Sequence, residues 1–396
     1  MLYHSFQNLS LSALGFGAMR LPLCPDGSID SKELDRMVDA AMAAGVNYFD
    51  TAHPYHGGRS EGELCRSLRR YPRKSWYLAD KFPGHQNVRG VKPLEPAAIF
   101  EEQLQRCGVT YFDFYLLHNV NENSMYYYGN PENRYMEYFL EQKAKGRIRH
   151  LGFSCHAAPE TLRKFLAMNG EHMEFCQIQL NYVDWKLQDA RQKCEILQEA
   201  GIPLWVMEPV RGGKLAAFSP DIEAKLRALR PEESTAAWAF RWLRTLPKPT
   251  MILSGMSNLA QMQDNLKTFS EDKPLNAEEI ALLEDIAAGL ARMIPCTACR
   301  YCCPGCPKGL DIPTMLSMAN DMAMSLSYNT VSRYTALGEG HRADSCISCG
   351  QCSRICPQQI NVPEELHRLD ALMSRQKTWE EICAERAAAA EAQRRK

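Results

Sequence analysis

The stretch SKELDRMVDAAMAAGVNYFDT, residues 31–51, contains one complete helix-to-strand step of the chain. Residues 31–44 repeat apolar side chains at helical spacing, with Ser31 as a start signal and Gly45 as a stop signal. Residues 47–51 then form a short aromatic run that is typical of a buried strand and contains Asp50. A helix followed at once by a buried strand is the repeating unit of folds with a parallel sheet.

The same alternation extends from the start of the chain to about residue 290. Further helices are expected at 96–107, 135–145 and 187–200. Eight strands are expected, at 13–19, 47–51, 76–81, 112–118, 148–154, 175–182, 203–208 and 251–255. An open doubly wound sheet would be expected to begin with a G-x-G-x-x-G turn, and the sequence has none. The pattern therefore predicts an α/β fold, a closed (β/α)8 or TIM barrel.

Composition narrows the class of protein. The chain has 396 residues, a formal net charge of -1 and 23% charged residues, so it has no basic field to attract nucleic acid or an anionic membrane. The N-terminal residues lack a basic segment followed by an apolar one, and no apolar run approaches the roughly 18 residues of a spanning helix. We therefore expect a cytoplasmic protein that binds neither nucleic acid nor membranes.

Cysteines mark a second region. Of sixteen cysteines, five lie within 296–306 and four within 346–356. Two C-x2-C-x2-C-x3-C-P motifs result, formed by Cys296, Cys299, Cys302 and Cys306, and by Cys346, Cys349, Cys352 and Cys356. Zinc ribbons or disulfides are the alternatives. Zinc sites seldom need a third cysteine at C-x2-C spacing followed by Cys-Pro, and disulfides are rare in the cytoplasm.

This spacing resembles that of bacterial ferredoxins with two 4Fe-4S clusters. The first three cysteines of each motif, separated by two residues each, can bind one cluster. The fourth cysteine lies too far along the chain to reach the same cluster and binds the other one. One cluster is therefore assigned to Cys296, Cys299, Cys302 and Cys356, and the other to Cys346, Cys349, Cys352 and Cys306. Cys303 is left over.

Three domains are expected: a barrel at 1–292, a two-cluster domain at 293–375 and a helical tail at 376–396. The sequence CPKGLDIP after the first cysteine motif is echoed by CPQQINVP after the second, which indicates two similar half-sites. Residues 314–337 between them have a helical pattern, so the second domain is predicted to be α-helical and ferredoxin-like.

Polar residues stand where the first strands of the barrel end. Asp50, Lys81 and His118 end successive strands, and Tyr55 lies in the loop after Asp50. Catalytic groups of such barrels come from this end of the strands. Each of these residues taken alone could have a structural role: Asp50 and Lys81 as a buried ion pair, Tyr55 as a packed side chain and His118 as a hydrogen-bonding group. Together they suit carbonyl reduction: Tyr55 as acid, Lys81 lowering its pKa, Asp50 holding Lys81, and His118 binding the substrate oxygen.

This Asp, Tyr, Lys and His set, in this order, resembles the catalytic tetrad of the aldo/keto reductase family over about the first 290 residues. GFGAMRLP near the start, Gly-Phe-Ser at 152–154, and the segments 177–182 and 255–265 also match. The resemblance implies a nicotinamide cofactor, NADP or NAD, extended across the barrel mouth. It implies that Ser154 and Gln177 contact the carboxamide of this cofactor. The pyrophosphate would lie near Arg211, Gly212 and Gly213, and the adenosine end near Ser257, Gln261 and Asn265.

Some details depart from the family or stay open. Gln179 is an alternative to Gln177, because residues two apart share a strand face. Met207 stands where an aromatic residue commonly stacks on nicotinamide, and Cys155 and His156 follow Ser154 where the family often has Asn. The segment 255–265 lacks the Lys and Arg that grip a 2'-phosphate in many members, so the choice between NADP and NAD is left open.

The leading hypothesis is an oxidoreductase that reduces a small carbonyl, or oxidises an alcohol, while the clusters exchange electrons with a redox partner protein. The alternative is an electron-transfer protein whose barrel is a non-catalytic scaffold or binds another redox cofactor such as a flavin. A third hypothesis treats the clusters as structural staples of a small domain.

Overall fold

A computed structural model describes all residues except 88–91, 122–123, 158, 188, 247–248, 291–293, 295, 297–299, 301, 325–330, 332–333, 335–336, 357 and 378–396. The chain forms two compact units, Met1–Glu284 and Asp285–Lys396. The boundary predicted at 292/293 and the separate tail at 376–396 stay predictions, and most of that tail lies outside the described residues. In the described part, no helix has both the length and the apolar character needed to cross a bilayer.

The first unit is built on ten strands: β1 Tyr3–Phe6, β2 Leu9–Ser12, β3 Leu14–Gly17, β4 Tyr48–Asp50, β5 Tyr77–Phe82, β6 Phe112–Val120, β7 Ile148–Cys155, β8 Cys176–Gln179, β9 Leu204–Met207 and β10 Pro249–Gly255. Strands β3 to β10 pair in parallel in chain order, and β10 pairs back with β3. The predicted closed eight-stranded barrel is confirmed, with every predicted strand in it.

Helices follow the strands: α1 Ser31–Ala43, α2 Ser60–Leu68, α3 Pro96–Cys107, α4 Met125–Tyr128, α5 Tyr135–Ala144, α6 Pro159–Asn169, α7 Asp184–Leu187, α8 Ala190–Glu199, α9 Pro220–Leu229, α10 Thr235–Leu243, α11 Leu259–Ser270 and α12 Ala277–Leu290. Asp30 caps α1 by accepting hydrogen bonds from the first turn. Strand β8 is shorter than predicted because the Asn181 side chain accepts from the backbone N–H groups of Val183 and Asp184, which turns the chain.

The hairpin β1–β2 was not predicted. Its two strands pair antiparallel, and its turn places Gln7 in the left-handed region (φ 51°), where glycine or asparagine is more usual. Phe6 at the end of β1 is buried in the barrel core, with its ring 4.9 Å from that of Trp205 and 5.8 Å from that of Phe114. The hairpin therefore packs against the starts of the barrel strands and leaves their carboxyl ends open.

The second unit is helical in the part that is described, as predicted. Its helices are Ile312–Met324, Gln351–Ile355 and Val362–Met373. The first and last of these begin at the two repeated Cys-Pro segments, and their apolar faces form a separate core that includes Met315, Leu316, Leu366 and Leu369. The predicted helical segment 314–337 continues into residues that are partly outside the described ones.

Candidate functional site

A cleft of about 630 Å³ opens at the carboxyl ends of the barrel strands, within the size range of small-molecule sites. The parallel register brings Gly17, Asp50 and Ala79 side by side on neighbouring strands. All four tetrad residues line this cleft, and so do seven of the eight predicted cofactor contacts: Ser154, Gln177, Gly212, Gly213, Ser257, Gln261 and Asn265. Residues far apart in sequence therefore meet in one site.

Lys81 and Asp50 form a fully buried ion pair at the floor of the cleft. The Lys81 ammonium donates to Asp50 Oδ1 at 2.5 Å and to the backbone carbonyl of Thr51 at 2.7 Å. Burial acts to lower the pKa of Lys81, but Asp50 and the Tyr55 hydroxyl outweigh it and the net pKa is raised. The ammonium therefore stays charged beside the Tyr55 ring, whose centroid lies 5.0 Å from Nζ.

The predicted effect of Lys81 on Tyr55 is present but does not dominate. Burial raises the pKa of Tyr55, and the attraction of Lys81 only partly opposes it, so the net pKa lies above the usual value of tyrosine. This is the opposite of the predicted net direction, because the sequence shows the charge but not the depth of the hydroxyl. Tyr55 is accordingly a neutral O–H donor at physiological pH.

His118 completes the set. Its ring meets that of Tyr55 edge to face, with centroids 5.8 Å apart. Burial and the nearby Lys81 charge lower the pKa of His118 well below its usual value. The imidazole is therefore neutral at physiological pH, and its buried Nδ1 atom has no hydrogen-bond partner among the described residues.

A second layer of buried polar groups lies behind Lys81. Gln103 on α3 donates to the backbone carbonyl of Lys81 at 3.1 Å and to Glu61 Oε1 at the same distance. Glu61 also accepts from Arg106 at 2.9 Å. Burial, with the neighbouring Glu61, raises the pKa of Asp80 well above its usual value. This layer was not predicted, since polar residues on helix faces usually point to solvent.

Tyr128 ties together the loops that follow β5 and β6. Its hydroxyl lies 2.8 Å from the carbonyl oxygen of His118 and 3.2 Å from that of Phe82. Its ring occupies the space of a missing side chain at Gly84, where a Cβ would lie 2.6 Å from the ring. Gly84 therefore lets Tyr128 approach both strand ends.

Gly84→Ala is expected to lower the free energy of unfolding by about 1–3 kcal/mol, because the added methyl group overlaps the buried Tyr128 ring. Denaturant unfolding followed by the fluorescence of the barrel tryptophans measures it. Gly62→Ala is the matched control: Gly62 lies in helix α2 with a Cβ position in ordinary contact only. That change is expected to stabilise by about 0.4–1 kcal/mol. Equal stability for both variants would contradict this packing.

The structure distinguishes between the two glutamines of β8 that the sequence left open as cofactor contacts. Gln177 lines the cleft and is 3% exposed, and in the part of the chain that the structure describes its buried Oε1 has no partner. Gln179 instead donates to Asp184 Oδ2 at 2.7 Å and does not line the cleft. Of the two, Gln177 is therefore the one that faces the cleft.

Arg211 is the predicted contact that the structure places elsewhere. Its guanidinium donates to buried Asp184 at 3.2 Å, and Arg211 does not line the cleft. Arg20 lies there instead, with one guanidinium nitrogen 3.0 Å from the Cβ position of Gly212 and its stem against Gly255. The pyrophosphate contact predicted for Arg211 stays a prediction, because sequence order does not show which arginine a buried carboxylate binds.

The second unit brings predicted cluster ligands together. Cys306, Cys346, Cys349 and Cys352 line one cavity, with apolar walls that include Leu310 and Ile312. This is the predicted crossed set, three cysteines from one motif and the fourth from the other. Within the described residues, no three His, Cys, Asp or Glu side chains are close enough together to bind a single metal ion. Of the other set, Cys299 lies outside the described residues.

The backbone repeats between the two halves. Gly309 and Gln359 are equivalent in the two Cys-Pro segments, and both have left-handed φ angles, 61° and 55°. Each donates its N–H to the carbonyl of the preceding cysteine, Cys306 or Cys356, at 3.0 Å. Cys303 stands where the second half has a serine, so it has no counterpart among the second motif's cysteines.

Comparison with known proteins agrees with this architecture. Residues 13–288 match the family described as "Aldo/keto reductase family". The chain belongs to the aldo/keto reductase family. Residues 295–361 match a "4Fe-4S dicluster domain", which bears out the resemblance of the cysteine-rich region.

Individual members of the aldo/keto reductase family are distant. "Probable aldo-keto reductase 1" of Glycine max is 23% identical over 52% of this chain and 58% of its own length. An aldo-keto reductase of Mycolicibacterium smegmatis is 30% identical over 49% of this chain and 65% of its own. The chain thus covers less than two thirds of these curated relatives.

A solved aldo-keto reductase of Klebsiella pneumoniae, in complex with NADPH, superposes with a TM-score of 0.57 at 20% identity. The superposition covers 72% of this chain and 96% of the Klebsiella protein. At this identity the likeness concerns the fold.

Proposed function

We propose that the barrel is a nicotinamide-dependent reductase of small carbonyl compounds, also able to oxidise the corresponding alcohols. The observation that carries the proposal is the buried Lys81–Asp50 pair beside the Tyr55 ring and His118, at the floor of one cleft. A purely structural ion pair would not require a neutral tyrosine and a neutral histidine with an unpartnered nitrogen in the same pocket.

The cleft fits a nicotinamide nucleotide. Gln177 has an unpartnered buried oxygen for a carboxamide N–H, and Ser154 accepts from the backbone of Asn119 at 2.8 Å, which leaves its own hydroxyl hydrogen to donate. Apart from its chain neighbours, no described residue has an atom within 4 Å of the Cβ position of Gly213, so its backbone is open to a bulky group. The Klebsiella relative binds NADPH, and we propose NADP or NAD for this chain.

In the proposed reaction, Tyr55 gives its proton to the carbonyl oxygen. Gln177 and Ser154 would hold a reduced nicotinamide, which would supply the hydride for the carbonyl carbon, so that the products are an alcohol and the oxidised nucleotide. Lys81 stabilises the phenolate that remains on Tyr55, and Asp50 keeps the ammonium in place. His118 hydrogen-bonds the substrate oxygen and orients it toward Tyr55. Solvent then returns a proton to Tyr55.

We further propose that the cysteine-rich unit holds two 4Fe-4S clusters. The cavity lined by Cys306, Cys346, Cys349 and Cys352 supports one of them. The repeated backbone turns at Gly309 and Gln359 support a second site of similar form. Such clusters pass single electrons, so we propose that they exchange electrons with a redox partner protein rather than take part in the carbonyl chemistry.

Nucleotide binding tests the proposal for the barrel. The oxygen-free holoprotein, titrated with NADPH and NADH, is expected to bind at least one of them. Gln177→Leu is expected to raise the Kd about tenfold, through loss of one hydrogen bond to a buried group. Gln179→Leu is the matched control on the same strand and is expected to change the Kd less. If neither nucleotide binds the wild type, the reductase proposal fails and the scaffold alternative takes its place.

A further inference from the structure

The cavity assigned to one 4Fe-4S cluster opens at the surface of the second unit. Of the predicted cluster ligands that the structure describes, Cys349 is the one that is exposed, and the others are buried or half-buried. Ile347 lines the same cavity and is 56% exposed, and the exposed Pro307 lines it as well. An apolar surface therefore lies over this cavity, beside the most exposed of the described ligands.

The loop that carries Ile347 is held in place from its other side. Ser348 has a left-handed φ angle of 54°, and its hydroxyl oxygen lies 2.8 Å from Nε2 of His367 on the helix Val362–Met373. Contiguous exposed apolar surface often marks a site of contact with another molecule. Because the loop is tied to the helix, Ile347 is available to a partner without a rearrangement of the chain.

Two cations border the apolar surface. Lys308 is exposed and lines the cavity, and Nη1 of the exposed Arg354 lies 3.5 Å from the carbonyl oxygen of Cys349. In the part of the chain that the structure describes, neither cation forms an ion pair with a carboxylate, whereas Arg300 in the same unit pairs with Asp311. The rim of the surface therefore carries positive charge that the unit itself does not neutralise.

This combination of features narrows the partner. Asp344, the carboxylate nearest in sequence to the second cysteine motif, accepts from Ser345 at 3.0 Å and does not line the cavity. An apolar centre with a charged rim is the usual composition of a transient protein–protein interface, and the partner's rim carries the opposite charge. Two cations are few for a nucleic acid, whose affinity depends on the neutralisation of many phosphates. An acidic protein fits this surface best.

We infer that Ile347, Lys308 and Arg354 form the docking surface for a small acidic one-electron carrier protein, which exchanges electrons with the cluster in this cavity. Electron transfer slows steeply with distance, so the cluster beneath the surface is the one that a docked carrier reaches. In the exchange, the reduced carrier loses one electron and the cluster gains one, and no bond forms or breaks. This inference rests on the proposed clusters.

Binding of an acidic flavodoxin to the oxygen-free holoprotein tests it, measured by isothermal titration at low ionic strength. The Kd is expected to rise with added salt, because salt screens the charges. The double variant Lys308→Glu, Arg354→Glu is expected to raise the Kd about tenfold or more, since it reverses both charges. Ile347→Ser is expected to raise it about tenfold, as for an apolar residue at the centre of an interface. Cytochrome c, a basic carrier, should bind the double variant more tightly than the wild type.

Lys164→Glu is the matched control, because Lys164 is an exposed lysine on α6 of the barrel. Its Kd for flavodoxin should equal that of the wild type. Iron and acid-labile sulfide are measured in every variant, so that weaker binding is not confused with a lost cluster. If flavodoxin does not bind the holoprotein, or if the double variant changes the Kd no more than Lys164→Glu, the inference is overturned. A wild-type protein purified without iron would instead contradict the proposed clusters, which is a separate outcome.

Discussion

Tyr55→Phe is expected to lower kcat/KM for carbonyl reduction by about 100- to 10,000-fold, the usual contribution of a positioned general acid. The change removes one hydroxyl and leaves the ring that packs against His118 and Lys81. The nucleotide Kd is therefore expected to move much less than kcat. Because burial raises the pKa of Tyr55, the wild-type rate of reduction should also stay flat through neutral pH and fall only in strongly alkaline solution.

Tyr77→Phe is the control for that experiment, since Tyr77 lies at the opposite end of a barrel strand, at the start of β5. Its rate should match that of the wild type. Steady-state kinetics with a panel of small carbonyls, together with nucleotide titration, measures both variants. A Tyr55→Phe protein that keeps wild-type kcat/KM would show that another group supplies the proton.

The second large effect concerns cluster assembly. Cys306→Ser and Cys346→Ser are each expected to remove the same cluster, because both residues line one cavity. Iron and acid-labile sulfide should fall from about eight to about four per chain in either variant, and the double variant should also keep about four. If Cys306 instead served the cluster of its own motif, the double variant would lose both clusters.

Cys303→Ser provides the matched control for the cysteine variants. Cys303 neighbours a predicted ligand, and the serine copies what the second half carries at the equivalent position. Iron content near that of the wild type is expected. A loss as large as that of Cys306→Ser would mean that Cys303 is a ligand, and the crossed assignment would be wrong.

Much of the fold could be predicted because its signals are local. Short aromatic and β-branched runs between helical patterns located all eight barrel strands, and the cysteine spacing located the second unit. The hairpin β1–β2 could not be predicted in this way, because Phe6 and Leu11 are the hairpin residues that pack in the buried core of the barrel. A strand with so few buried residues does not differ from a loop in sequence.

The site was predictable where chemistry is tied to strand ends, and not where it depends on contacts across the fold. Asp50, Lys81 and His118 follow from position alone. The capture of Arg211 by Asp184 and the entry of Arg20 into the cleft both depend on which loops meet in space. The direction of the Tyr55 pKa likewise depends on burial, which no local pattern shows.

The proposed function requires that the barrel of this aldo/keto reductase family member transfer hydride from a nicotinamide to a carbonyl carbon. Reduction with a nucleotide that carries deuterium at both hydrogens of the nicotinamide C4 tests this transfer, with the product analysed by mass spectrometry. We expect one deuterium on the carbinol carbon of the product, both in protein with intact clusters and in the Cys306→Ser variant. An alcohol without deuterium, or oxidation of the nucleotide that only reduces the clusters, would contradict it.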